Sequence, residues 1–244
     1  MKLMIIRHGD PDYEKDSLTP KGWREAELLA DRISKLDVRD FYCSPLGRAR
    51  DTAGVTLKRM GREAAVFDWL QEFPAQILDP VTGERRIAWD FMPSFWTERP
   101  TFYDKDRWAS DPIMQTGDVE RLSQVVADGL DGVLAQHGYH RSGRIYRTAK
   151  GNCDTLVFFC HLGVECVMLS HLLGLSAPVL WHGLFLAPTS VTTLVTEERI
   201  KGEAYFRCVS IGDTSHLYCG GEPLSACGLY VETWDAGSPD GRHA

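Results

Sequence analysis

The chain opens on a short apolar run, Lys2 to Ile6, that stops at Arg7-His8-Gly9. Such a run reads as a buried strand that delivers polar residues at its C-terminal end. In the next segment, Thr19 is suited to cap a helix and Pro20 to occupy its first turn. Ala26, Leu29, Ala30 and Ile33 then recur at helical spacing. Asp40 to Cys43 predicts a second short strand. Ser44-Pro45 repeats the cap-then-proline start, and Leu46, Ala49 and Ala53 form a stripe, so Arg48 falls near the N-terminus of a second helix.

Periodicity is lost over residues 79–117, where Trp89, Phe91, Phe95, Trp96, Phe102, Tyr103 and Trp108 lie among prolines and charges. This stretch predicts an aromatic-rich insertion with little regular structure, either a substrate lid or the core of a small subdomain. Helical spacing returns from Asp118 to Gln136 through Leu122, Val125, Val126, Leu130 and Val133. Gly138-Tyr139 and Ile145-Tyr146-Arg147 read as a turn region. Thr155 to Cys160 predicts a central strand ending at His161, followed by a helix from Gly163 to Leu173 closed by Gly174. Ser190 to Thr196 and Ala204 to Ile211 read as the last strands, and the chain from about Asp235 as a frayed end.

Alternating strands and helices predict an α/β fold: a single-domain three-layer αβα sandwich around a central, mostly parallel sheet, with the segment at about 79–117 inserted. Sheets of this kind bind ligands beyond the carboxyl ends of their strands. Arg7-His8 and His161 stand at two such ends and Arg48 follows a third, so one architecture brings all four together.

Composition narrows the reading. A formal net charge of -7 argues against nucleic-acid binding as the main activity. It is compatible with a local cationic pocket for a small anion. The apolar N-terminal run is too short for a signal peptide or a membrane span, and no later stretch is long enough. The seven cysteines are odd in number and contain no Cys-x-x-Cys pair, which predicts reduced, mostly buried thiols in a cytoplasmic protein.

Cleavage of a phosphate monoester needs a nucleophile, cations around the oxygens and an acid for the leaving alkoxide. His8 can attack as a neutral imidazole. Arg7 and Arg48 can hold the oxygens, and His161 can add a donor. The helix after Ser44 adds its N-terminal dipole. Glu72, between Trp69-Leu70 and Phe73, is the carboxyl group best placed as a general acid, with Asp68, Asp79, Glu84 and Asp90 as alternatives. No divalent ion or cofactor is called for. Arg50 is expected in solvent, His137 and His140 on the surface without a metal, His171 and His182 in packing roles, and His216 as a brace.

The order and spacing of these residues resemble a known family. Arg7-His8-Gly9 is similar to the signature of the histidine phosphatase superfamily, in its phosphoglycerate-mutase-like branch. Leu18-Thr19-Pro20-Lys21-Gly22 resembles that family's helix start. Ser44-Pro45-Leu46-Gly47-Arg48-Ala49-Arg50-Asp51-Thr52-Ala53 resembles its serine-x-x-x-arginine-alanine-x-x-threonine-alanine motif. Phe159-Cys160-His161-Leu162-Gly163-Val164 resembles the second histidine motif, and Gly212-Asp213-Thr214-Ser215-His216-Leu217 a common C-terminal element. The resemblance implies that His8 becomes phosphorylated, that Arg7, Arg48 and His161 complete the phosphate pocket, and that Glu72 donates the proton. Asp10 and Glu14 depart from the glutamate and asparagine common there. Phe73-Pro74-Ala75-Gln76 replaces the usual glycine-x-tryptophan-glutamate-glycine stretch. The reading is a metal-independent phosphatase acting on a small phosphorylated substrate. A phosphomutase and a catalytically silent phosphate-binding protein are the alternatives. The natural substrate and the oligomeric state stay open.

Overall fold

The computed structural model describes residues 1–233; the expected frayed end from about Asp235 lies outside the described residues. One eight-stranded sheet organises them. In chain order its strands are β1 Lys2–Arg7, β2 Asp40–Cys43, β3 Ala65–Val66, β4 His140–Ser142, β5 Ile145–Arg147, β6 Thr155–Cys160, β7 Val191–Ile200 and β8 Glu203–Asp213. They are arranged β3-β2-β6-β1-β7-β8-β5-β4. The half from β3 to β1 is parallel and the half from β1 to β4 antiparallel. The four longest helices in chain order are α1 Pro20–Ile33, α2 Gly47–Met60, α3 Val119–Gln136 and α4 Leu162–Leu173.

Strand side chains alternate between faces, so a central strand covered on both sides reads as a continuous apolar run. Leu3 and Ile5 of β1, with Leu156 and Phe158 of β6, pack against Val126, Leu130 and Val133 of α3 and Val164, Val167 and Met168 of α4. Met4, Ile6, Val157 and Phe159 point the other way, onto Leu29 and Ile33 of α1 and Ala49 and Ala53 of α2. The result is the αβα layering that the sequence predicts.

Local signals hold well for α1 and α4. Thr19 caps α1 by accepting from Gly22 N at 3.1 Å, with Pro20 in the first turn. Gly174, at φ 66°, closes α4 in the left-handed conformation. The expected serine cap of α2 is corrected. Its N-cap is Leu46, with no side-chain cap, because the Ser44 hydroxyl is turned toward His161.

The expected turn region at 138–147 is instead the β4–β5 hairpin, which extends the sheet through β8. Its strands were too short to show a period. Residues 76–115 hold a small ribbon, Gln76–Leu78 with Arg85–Ile87, and short helical turns at Pro93–Trp96, Pro100–Tyr103, Trp108–Ser110 and Pro112–Gln115. Phe91, Phe102 and Trp108 of this stretch are buried in the α3–α4 core. Of the seven thiols, Cys43, Cys160 and Cys166 are buried, whereas Cys153 and Cys219 are exposed, so the expectation of mostly buried thiols does not hold. No helix among the described residues is long and apolar enough to cross a membrane.

Candidate active site

The parallel pairing of β1 with β6 sets Arg7 opposite Cys160, and so carries His8 and His161 off the same end of the sheet. Their rings stand 5.1 Å apart, tilted by 57°. His8 N donates to Cys160 O at 3.0 Å, and Thr189 N donates to His8 O at 3.0 Å. Thr189 is β-branched yet sits at φ 57°, a strained conformation held against the site.

The His8 Nδ1 lies 2.7 Å from the carbonyl oxygen of Gly9. A carbonyl can only accept, so this bond places the imidazole proton on Nδ1 and leaves the Nε2 lone pair free. Burial, together with the charges of Arg7 and Arg48, holds the His8 pKa well below its ordinary value against the Gly9 carbonyl. The ring is therefore neutral at physiological pH. Burial lowers His161 likewise, with His8, Arg48 and Arg7 adding to the effect. Ser44 Oγ accepts from Leu46 N at 3.2 Å and stands 2.7 Å from His161 Nε2.

Arg7 Nη1 donates to Leu186 O at 2.5 Å and Nη2 to Cys227 O at 3.3 Å. Arg48, in the first turn of α2, donates through Nη1 to Asp16 Oδ1 at 2.6 Å. Thr52, one turn on, accepts from Gly9 N at 2.9 Å and donates to Arg48 O at 2.8 Å, tying the helix to the loop after His8. Among the described residues no partner pairs with the buried Nε of Arg7, Nε of Arg48 or Nδ1 of His161.

Glu72 reaches the same cluster. Its Oε1 accepts from Gly163 N at 2.9 Å and from Phe73 N at 3.0 Å. Burial raises its pKa, although those N–H groups, Arg7 and Arg48 all pull it down. Gly163 is needed here. A Cβ at that position would lie 2.7 Å from Glu72 Oε1 and 2.8 Å from the Trp89 ring.

The structure thus brings Arg7, His8, Arg48, His161 and Glu72 together. The alternative carboxylates lie elsewhere. Asp79 and Asp90 pair with Arg86, and Asp68 and Glu84 are exposed. Arg50 is exposed, as expected. His137 is not a surface residue. It ends α3, stacks edge-on against Tyr42, and its Nε2 lies 2.8 Å from the Tyr42 hydroxyl. His171 pairs with Asp131 at 3.0 Å, His182 stacks on Trp96 at 4.9 Å, and buried His216 lies 3.2 Å from Thr189 Oγ1.

Sequence reading missed several site residues. Asp16 sits on Arg48. Glu165 is fully buried one turn into α4. Burial pushes its carboxyl up to about 8 and Glu72 adds to the rise, against Thr192 and Arg7. A lone carboxylate in the largely apolar Leu162–Leu173 run was the available signal. The segment 222–228 wraps toward the site: Glu222 pairs with Lys21 and Arg24, Ser225 bonds Asp10, and Cys227 reaches Arg7.

Comparison with known proteins places the chain in a family. A family model described as histidine phosphatase superfamily (branch 1) matches residues 3–201. A 2,3-bisphosphoglycerate-dependent phosphoglycerate mutase of Thermoplasma acidophilum is 39% identical over 83 residues, covering 30% of this chain and 42% of that protein. The mitochondrial serine/threonine-protein phosphatase Pgam5 of Caenorhabditis elegans is 31% identical over 104 residues, 39% of this chain and 35% of its own. The chain thus spans less than half the length of these curated relatives. Among solved structures, phosphoserine phosphatase of Entamoeba histolytica in complex with 3-phosphoglyceric acid superposes with TM-score 0.59 at 23% identity, covering 88% of this chain and 98% of that one. A mycobacterial glucosyl-3-phosphoglycerate phosphatase gives TM-score 0.56 at 20% identity, covering 86% and 98%. These structures share the fold, and with the family model matched along most of its length the chain belongs to the histidine phosphatase superfamily, branch 1.

Proposed function

We propose that the protein is a metal-independent phosphatase that hydrolyses a small phosphomonoester through a phosphohistidine on His8. The observation that carries this reading is the His8 ring: buried, neutral, and with Nδ1 committed to Gly9 so that Nε2 keeps its lone pair. Arg7, Arg48 and His161 surround it, and their unpaired buried nitrogens favour an oxyanion ligand. Positive charge comes from the two guanidinium groups, so a divalent ion is not required.

In the first step the Nε2 lone pair forms a bond to phosphorus as the ester P–O bond breaks. Glu72 protonates the departing alkoxide, a role that its raised pKa supports. In the second, Glu72 takes a proton from water, which attacks phosphorus and releases His8 and inorganic phosphate. We read the chain as one domain with an insertion at about 79–117. The contact of Trp89 with the Gly163–Glu72 corner supports a role for that insertion as a wall over the leaving group. The absence of the mutase-type stretch after Glu72 favours water over a second acceptor. The net charge of -7 favours no nucleic-acid partner, the lack of a long apolar run favours no membrane span, and seven cysteines without a Cys-x-x-Cys pair favour reduced thiols in a cytoplasmic setting.

The test is His8→Ala with a radiolabelled phosphomonoester. Turnover should fall to near background with the fold intact, and an acid-labile, base-stable label should appear on the wild type alone. A variant that keeps most of its activity overturns the mechanism. Isomerisation that depends on a bisphosphoglycerate primer would establish the mutase instead.

A further inference from the structure

The cation nearest the start of α2 already holds an anion from the chain itself. Asp16 Oδ1 lies 2.6 Å from Arg48 Nη1, and Asp16 Oδ2 lies 2.6 Å from Gly47 N. Its two oxygens bridge a guanidinium and a helix N-terminal amide, the same pair of donors that an oxyanion would use. The approach is close. A Cβ on Gly47 would stand 2.0 Å from the Asp16 carbonyl oxygen, so only glycine lets the loop seat on the helix. Burial works against the carboxylate form of Asp16, but the Gly47 N–H and Arg48 outweigh it and hold the pKa below the ordinary range. Asp16 is therefore an anion at neutral pH.

Three features make this contact displaceable. Asp16 is 44% exposed while Arg48 is only 11% exposed, so the carboxylate covers the arginine from the solvent side. Asp16 sits at φ 47°, which a non-glycine residue adopts at a cost. The ribbon that presents it has two residues on each side, Pro11–Asp12 and Ser17–Leu18, and so little ladder to hold it in place.

We propose that Asp16 is a specificity residue: an internal monoanionic competitor that occupies Arg48 and the Gly47 amide until a dianionic phosphoryl group displaces it. This rests on the reading of the pocket as a phosphate site. The two anions cannot share the same donors without strong repulsion. A phosphomonoester dianion brings more charge and a third oxygen for Arg7 and His161, and so wins the exchange. A monoanion such as a phosphodiester gains nothing over the carboxylate, and is rejected.

The experiment is calorimetric titration of the full chain with inorganic phosphate near pH 8 and with dimethyl phosphate, using wild type, Asp16→Asn and Asp16→Gly. Both replacements tolerate positive φ, so neither adds backbone strain. Phosphate binding should tighten about three- to thirty-fold in each variant, the scale of one charge-assisted contact, and dimethyl phosphate should become measurable. Adding Arg48→Ala should erase the gain. Phosphate affinity that is equal or weaker in both variants overturns the proposal and makes Asp16 a support for Arg48. Absence of phosphate binding in wild type and variants alike overturns the phosphate-site reading, and this proposal with it.

Discussion

At the scale of the residue, burial suppresses the charge of the titratable groups around the site. His8 and His161 are kept neutral, and Glu165 is kept protonated near neutrality with its carboxyl at about 8. The Glu165 shift has a consequence for stability. The group titrates near 4.3 in the unfolded chain and near 8 in the folded one. Between those values the unfolded state has lost its proton and the folded state has not, so stability falls as pH rises through that window and is flat above it. Glu165→Gln removes the titration. Its denaturation midpoint should lose a large part of the wild-type decline between about pH 5 and 8, measured by urea unfolding across that range. Parallel pH profiles for variant and wild type would contradict the shift. This residue also marks the limit of sequence reading, since one glutamate in an apolar helix does not say whether it is buried or faces water.

At the scale of the element, α4 does two jobs. His161 is its N-cap residue, Glu165 lies in its first turn, and its Gly163 amide fixes Glu72. Gly163→Ala should push aside the Glu72 carboxyl or Trp89, because the new methyl falls inside both contact distances. If Glu72 is the proton donor, this variant should resemble Glu72→Gln. Alkyl phosphate turnover should drop by roughly 10²- to 10⁴-fold, the usual share of general acid catalysis. The nitrophenolate burst, whose leaving group needs no proton, should fall far less. Equal losses on both substrates would remove Glu72 from that role. The strands and helices that carry these groups were legible locally: β1 and β6 as apolar runs, α1 from its cap, α4 from its closing glycine. The start of α2 departs from the expectation because Ser44 Oγ is shared between His161 and the amide of Leu46, which is itself the N-cap.

At the scale of the whole molecule, the site gathers segments from across the described chain. Arg7 is held by Leu186 and Cys227, Lys21 and Arg24 by Glu222, and the Tyr230 hydroxyl reaches Asp90 at 2.6 Å. A ligand that binds only this assembled state stabilises it by mass action. Phosphate at 100 times its Kd should add about 2.7 kcal/mol. For a chain of this size that corresponds to about 5–10 °C in Tm. Differential scanning fluorimetry should show the rise in wild type and lose most of it in Arg48→Ala. An undiminished rise in that variant would place the bound phosphate elsewhere.

The sequence by itself determined the longer strands and helices and their order, because period and capping depend on residues within one turn or one strand. It also determined that Arg7-His8 and His161 stand at strand ends and that Arg48 follows a third, where an α/β sheet collects them. Only the tertiary structure decided that Asp16 lies on Arg48, that Glu165 is sealed beside Glu72, and that residues 138–147 pair into the sheet through β8. Ser225 likewise meets Asp10 from 215 positions away. Contacts of that span leave no local trace. They arise only when packed strands choose their neighbours, and the donors left at the pocket then take whichever acceptors lie within reach.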